Sequence, residues 1–128
     1  MTLEDICMNR TPGKTMTAHN WYSRCWSDDE RSPIVSIYHH GTQMLEFVAR
    51  SRRPYFPILV RNISHVDFGW GSKSDEKGMN RIFKKLGIPW YYSRRAGIIN
   101  LVTDPKHKSI PKYMRDPETR KNIYGYAA

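Results

Sequence analysis

The sequence predicts an α+β fold: a small antiparallel sheet of about five or six strands with one amphipathic helix, over 74–86, packed on it. Three observations predict this. Short β-branched and aromatic runs recur between turn residues, which is the signature of strands joined by tight connections. A single segment carries the 3.6-residue apolar period of a buried helix stripe. The apolar runs are only a few residues long, so the chain contains no membrane-spanning helix.

The elements follow in order. Residues 1–20 are polar and punctuated by Pro12 and Gly13, and read as an irregular arm. Trp21–Trp26 (WYSRCW) is aromatic and reads as a segment docked on the core, and 27–33 as a loop. Ile34–Tyr38 is a strand, His39–Thr42 a turn, and Gln43–Ala49 the returning strand, with Met44 and Phe47 off strict alternation. Two more strands are expected at 56–61 and 63–68, with Asn62 between them and Pro57 at a strand start or edge.

The helix is the clearest element. Ser72 or Ser74 can cap it, and Asp75 and Glu76 favour its positive end. Met79, Ile82, Phe83 and Leu86 form the apolar stripe. Gly87 stands where a left-handed cap belongs, and Pro89 blocks continuation. Trp90–Ser93 and Ile98–Val102 then form a hairpin with Arg94 and Arg95 near its tip. The expected organisation is an arm and docking segment at 1–33, an α+β body at 34–102, and a proline-punctuated basic tail at 103–128. The expected core is Ile34, Val35, Ile37, Leu45, Phe47, Ile58, Val60, Val66, Met79, Ile82, Phe83, Leu86, Ile88, Ile99 and Leu101.

The chain has 128 residues, which suits one domain. Its 21 Lys and Arg face 12 Asp and Glu, a net charge of +9. The excess is uneven: residues 1–49 hold four basic and six acidic side chains, while 50–128 hold seventeen basic and six acidic. Such density captures polyanions, nucleic acid first and an acidic protein surface second. It also excludes mimicry of DNA, which needs a negative surface.

Lys77, Arg81, Lys84 and Lys85 fall opposite the apolar stripe, and Lys73 extends their row. With Arg50, Arg52 and Arg53, and with Arg94 and Arg95, they form the expected anion-binding set. If the three stretches converge and contact about five or more phosphates, binding is weakly sequence-selective and falls steeply with salt. Reversing Arg81 and Lys84 to glutamate is then expected to abolish capture. Trp21, Trp26 and Tyr91 are the candidate aromatic contacts.

Catalytic signals are sparse. His65 and Asp67 lie two apart on an expected strand and share a face, which suits an acid–base pair. Gly69-Trp70-Gly71 lacks the lysine and length of a phosphate loop. His39 and His40 are adjacent and point apart on a strand, and Cys7, His19 and Cys25 match no zinc spacing. No metal or cofactor is expected. Two cysteines form no disulfide framework, the N-terminus lacks a secretory layout, and a cytoplasmic location is expected.

The stretch 34–102 resembles small uncharacterised proteins of tailed bacteriophages. The shared features are Gly41, Thr42 and Leu45 in one strand, Gly69-Trp70 closing another, then Ser72 and Ser74. A short helix with Lys77, Met79 and Asn80 follows, then an aromatic hairpin. This chain departs from them in Ser74-Asp75, in Gly78 inside the helix, and in the RSRRPYFP insertion. The resemblance implies a phage origin and an α+β fold, and carries no known activity. The functional expectation is a small phage-encoded, non-enzymatic protein that engages nucleic acid or a nucleoprotein in the host cytoplasm. The first alternative is an anti-CRISPR-like inhibitor of a host defence protein. The second is a metal-dependent nuclease using His65 and Asp67.

Overall fold

The computed structural model describes residues 1–27, 33–49, 62–67 and 69–100. Its elements are α1 (Leu3–Cys7), β1 (Thr15–Ala18), β2 (Trp21–Trp26), β3 (Ile34–His39), β4 (Thr42–Val48), β5 (Ile63–Val66), α2 (Lys73–Leu86), β6 (Trp90–Ser93) and β7 (Gly97–Asn100). The first five strands form one sheet in the order β1-β2-β3-β4-β5, each antiparallel to its neighbour. The hairpin β6–β7 is a separate two-stranded sheet. The α+β class stands, with two changes. The residues read as an arm fold into α1 and β1, the docking segment is the strand β2, and the final hairpin does not join the main sheet. The expected strand at 56–61 and the tail 103–128 lie outside the described residues.

Register fixes the faces of the sheet, because directly paired residues point the same way. Trp21 pairs with His39, Ser23 with Ile37, and Cys25 with Val35. Leu45 continues the Ile37 row and Phe47 the Val35 row. These residues are all buried and form the inner face. The other face carries Tyr22, Arg24, Ser36, Tyr38 and Glu46. There Tyr22 and Tyr38 stack at 4.7 Å, and the Arg24 guanidinium lies over both rings.

The broken alternation around Met44 has a geometric cause. Ile37 pairs with Leu45 and Tyr38 with Gln43, so one step on β3 spans two on β4. Met44 is the extra residue of a β-bulge, and both Met44 and Leu45 are buried.

Helix α2 is built as its sequence requires. Ser72 caps it and closes a capping box with Asp75. Gly87 ends it at φ 68°, a left-handed conformation in which glycine avoids the Cβ penalty. Met79, Ile82, Phe83 and Leu86 are buried as expected. Gly78 is buried too, against the Trp21 ring. Helix α1 has its own capping box, Thr2 with Asp5, and buries Leu3, Ile6 and Cys7.

Val35, Ile37, Leu45, Phe47, Ile88 and Ile99 are buried as expected, whereas Ile34 and Val66 are only half-buried at the sheet's rim. Ile58, Val60 and Leu101 lie outside the described residues. The core gains Leu3, Ile6, Cys7 and Ala18 from the segment read as an arm, and Trp21 and Cys25 from the docking segment. Among the described residues no helix is long and apolar enough to cross a membrane.

Candidate functional site

The inner face of β3 ends at His39, which is only 2% exposed. Its ring stacks on Trp21 at 4.0 Å, with the planes 9° apart. Nδ1 lies 2.5 Å from Asp75 Oδ1. A carboxylate only accepts, so Nδ1 carries the proton; in the neutral ring Nε2 then presents its lone pair. Ser74 Oγ lies 3.3 Å from that Nε2.

Asp75 is held by the helix cap. Its second oxygen, Oδ2, accepts from the Trp70 N–H at 3.1 Å, the Ser72 N–H at 3.0 Å and the Ser72 hydroxyl at 3.0 Å. Burial pushes the Asp75 carboxyl up, but the hydrogen bonds from His39 and Ser72 outweigh it and hold the group below its ordinary range. Asp75 therefore serves the helix start and the histidine at once, through separate oxygens.

His39 and Ser74 open onto a cleft of about 540 Å³ between α2 and the β1–β2 turn. Lys73, Lys77 and Arg81 of α2 line it, as does His19 of the turn. Among the described residues its lining contains no carboxylate. Arg81 is also engaged from α1: its Nε donates to Glu4 Oε1 at 2.7 Å and its Nη2 to Oε2 at 2.5 Å. The guanidinium holds the Glu4 carboxyl below its usual range.

The predicted basic residues do not all meet there. Lys73, Lys77, Arg81, Lys84 and Lys85 are exposed along α2 as expected, and the first three border the cleft. Arg94 and Arg95 instead line a second cleft, of about 380 Å³, with Glu76 and Ser93. There the Arg94 N–H donates to Glu76 Oε2 at 2.9 Å, and its Nε lies 3.7 Å from the same oxygen. Arg50, Arg52 and Arg53 lie outside the described residues. Of the described cations in the predicted set, three border the first cleft and two the second, Lys84 and Lys85 line neither, and Arg81 and Arg94 face carboxylates.

The aromatic candidates also divide. Trp21 is 7% exposed and supports His39. It is a wall of the site and leaves little ring surface for a base. Trp26 is 37% exposed, and Tyr91 is half-buried. Trp70, the aromatic of the Gly69-Trp70 pair and not among these three candidates, is 85% exposed beside the helix start.

His65 and Asp67 are not assembled as a pair. His65 Nε2 contacts the Gln43 carbonyl at 3.0 Å, while Asp67 Oδ1 accepts from the Gly69 N–H at 2.8 Å. Among the described residues no three His, Cys, Asp or Glu side chains gather as metal ligands. Cys7 is fully buried, and burial pushes its thiol well above its ordinary range.

The sequence reading missed the His39–Asp75–Ser74 group, whose members come from β3 and α2. The capping pattern Ser72-x-x-Asp75 was visible and named the carboxylate, but only the fold supplies its histidine. Fold and site together define a small α+β protein with a basic cleft in which an exposed serine, Ser74, meets a buried His39–Asp75 pair. Comparison of the chain with protein-family models, with curated proteins and with solved structures finds no match.

Proposed function

We propose that this protein binds a phosphate-bearing polyanion, nucleic acid in the first instance, along the lysine face of α2 where it borders the cleft. One observation carries the reading: among the described residues the cleft is lined by Lys73, Lys77, Arg81, His19 and His39 and by no carboxylate. A concave site with one sign of charge concentrates field and counter-ions between low-dielectric walls. Among the described residues neither Lys73 nor Lys77 has an ion-pair partner, and Lys85 is exposed on the next turns of the same helix. The tailed-phage resemblance supports placing this activity in a host-cell cytoplasm.

The Glu4–Arg81 pair changes how the reading is tested. Reversing Arg81 sets two carboxylates against each other and loosens α1, so loss of binding would not isolate the cationic face. Lys73→Glu with Lys77→Glu touches no described ion pair. In fluorescence polarisation with labelled single-stranded DNA and RNA, this double variant is expected to lose capture while its circular dichroism stays native. Undiminished binding in a folded double variant overturns the reading. Recovery of one host protein from lysate, with no binding to free DNA or RNA, favours the inhibitor alternative instead.

A further inference from the structure

We propose that Ser74, His39 and Asp75 form a serine esterase centre acting on carboxylic esters that carry an anionic group. This goes beyond polyanion binding, does not rest on it, and departs from the expectation of a non-enzymatic protein. The geometry has the parts such chemistry needs. Ser74 Oγ is solvent-exposed in the cleft, 3.3 Å from His39 Nε2. The Asp75 contact at Nδ1 sets the tautomer in which Nε2 accepts the serine proton. Stacking on Trp21 holds the imidazole ring in place.

The first turn of α2 adds donors for the oxyanion. Ser72 N–H and Asp75 N–H are taken by the capping box. The Lys73 and Ser74 N–H groups are the two first-turn donors left without a partner among the described residues. Lys73 and Lys77 line the same cleft and select for a negative substituent on the ester.

The steps balance. Ser74 Oγ bonds to the ester carbonyl carbon as its proton passes to His39 Nε2. The carbon–oxygen bond to the leaving alcohol breaks, the alcohol takes that proton from Nε2, and Ser74 is left acylated. Water then adds to the acyl carbon and gives a proton to Nε2. The carboxylic acid departs as that proton returns to Ser74 Oγ. Ser74 and His39 are the catalytic residues, and Asp75 is a positioning residue acting through His39.

The test uses the full chain and a fluorophosphonate probe, which forms an oxygen–phosphorus bond to an activated serine and releases fluoride. Hydrolysis of mono-4-nitrophenyl glutarate is measured beside that of neutral 4-nitrophenyl acetate. The expected result is a stoichiometric adduct mapped to Ser74 by mass spectrometry, with faster turnover of the anionic ester. Ser74→Ala is expected to abolish both signals and to leave DNA and RNA binding intact, so esterase and binding failures are told apart. His39→Gln is expected to slow labelling by about 100-fold or more, the usual scale of a lost general base. In Asp75→Asn the amide can donate to Nδ1 and reverse the tautomer, so labelling is expected to fall in material whose fold is verified by circular dichroism. Absence of an adduct on Ser74 in the folded native chain overturns the proposal, as does labelling of His39→Gln at the native rate.

Discussion

Gly78 decides where Trp21, and so His39, can sit. An alanine is ordinarily better than a glycine inside a helix by up to about 1 kcal/mol. Here a Cβ on Gly78 would lie 2.1 Å from Trp21 Cζ2 and 2.8 Å from its neighbouring ring carbons. The indole cannot retreat freely, because its ring is stacked on His39. Gly78→Ala is therefore expected to destabilise the protein by about 1–3 kcal/mol, the range for overpacking a tight interior. Urea unfolding measures it, and a gain in stability would show that the helix does not bear on this ring. The sequence displayed Gly78 only as a departure inside a helical pattern. Its reason comes from a tryptophan in a distant strand, which no local period reveals.

At the level of elements, α2 was legible from end to end because every signal in it agreed: cap, acidic first turn, apolar stripe, terminal glycine. The strands β1 and β2 were not, and the cause is specific. In β2 the inward residues are Trp21, Ser23 and Cys25, and the outward ones Tyr22, Arg24 and Trp26. An inward serine and outward aromatics hide the period-two alternation that marks a half-buried strand. Ser23 is tolerated inside because the Asn9 amide donates to its hydroxyl at 3.3 Å. The short helix α1 was masked in the same way by the polar residues around it, and its tie to α2 through Glu4 and Arg81 changed the meaning of a predicted cation. That tie gives a prediction of opposite signs. Glu4→Gln removes an exposed ion pair and is expected to cost less than about 1 kcal/mol in thermal or urea unfolding. On the polyanion reading it also releases the Arg81 guanidinium, so affinity for labelled DNA should rise at low salt. Unchanged or weaker DNA binding in Glu4→Gln would remove Arg81 from the interface.

For the whole molecule, the net charge of +9 and the hydrogen-bonded carboxylates, Asp75 buried and Glu46 half-buried, both bear on stability in acid, and salt separates them. Asp75 is held below its ordinary range although burial raises it, and Glu46 likewise, through the hydroxyls of Ser64 and Ser36 and the Gln43 amide. A carboxyl whose folded pKa is depressed contributes stability above its unfolded value of about 4, and that contribution is lost as pH falls through the folded value. The unfolding midpoint is therefore expected to drop as pH is lowered below about 4. Protonation also strips negative charge from an already cationic chain, and the added self-repulsion pushes the same way. Repulsion between exposed charges is screened at about 1 M salt, where the Debye length is about 3 Å, whereas hydrogen bonds to a buried carboxylate are not. Thermal unfolding between pH 2 and pH 6, with and without that salt, should therefore show a partial rescue, and the acid limb that persists should flatten in Asp75→Asn. Complete rescue by salt would mean that surface repulsion alone drives acid unfolding and that the Asp75–His39 contact contributes nothing to it.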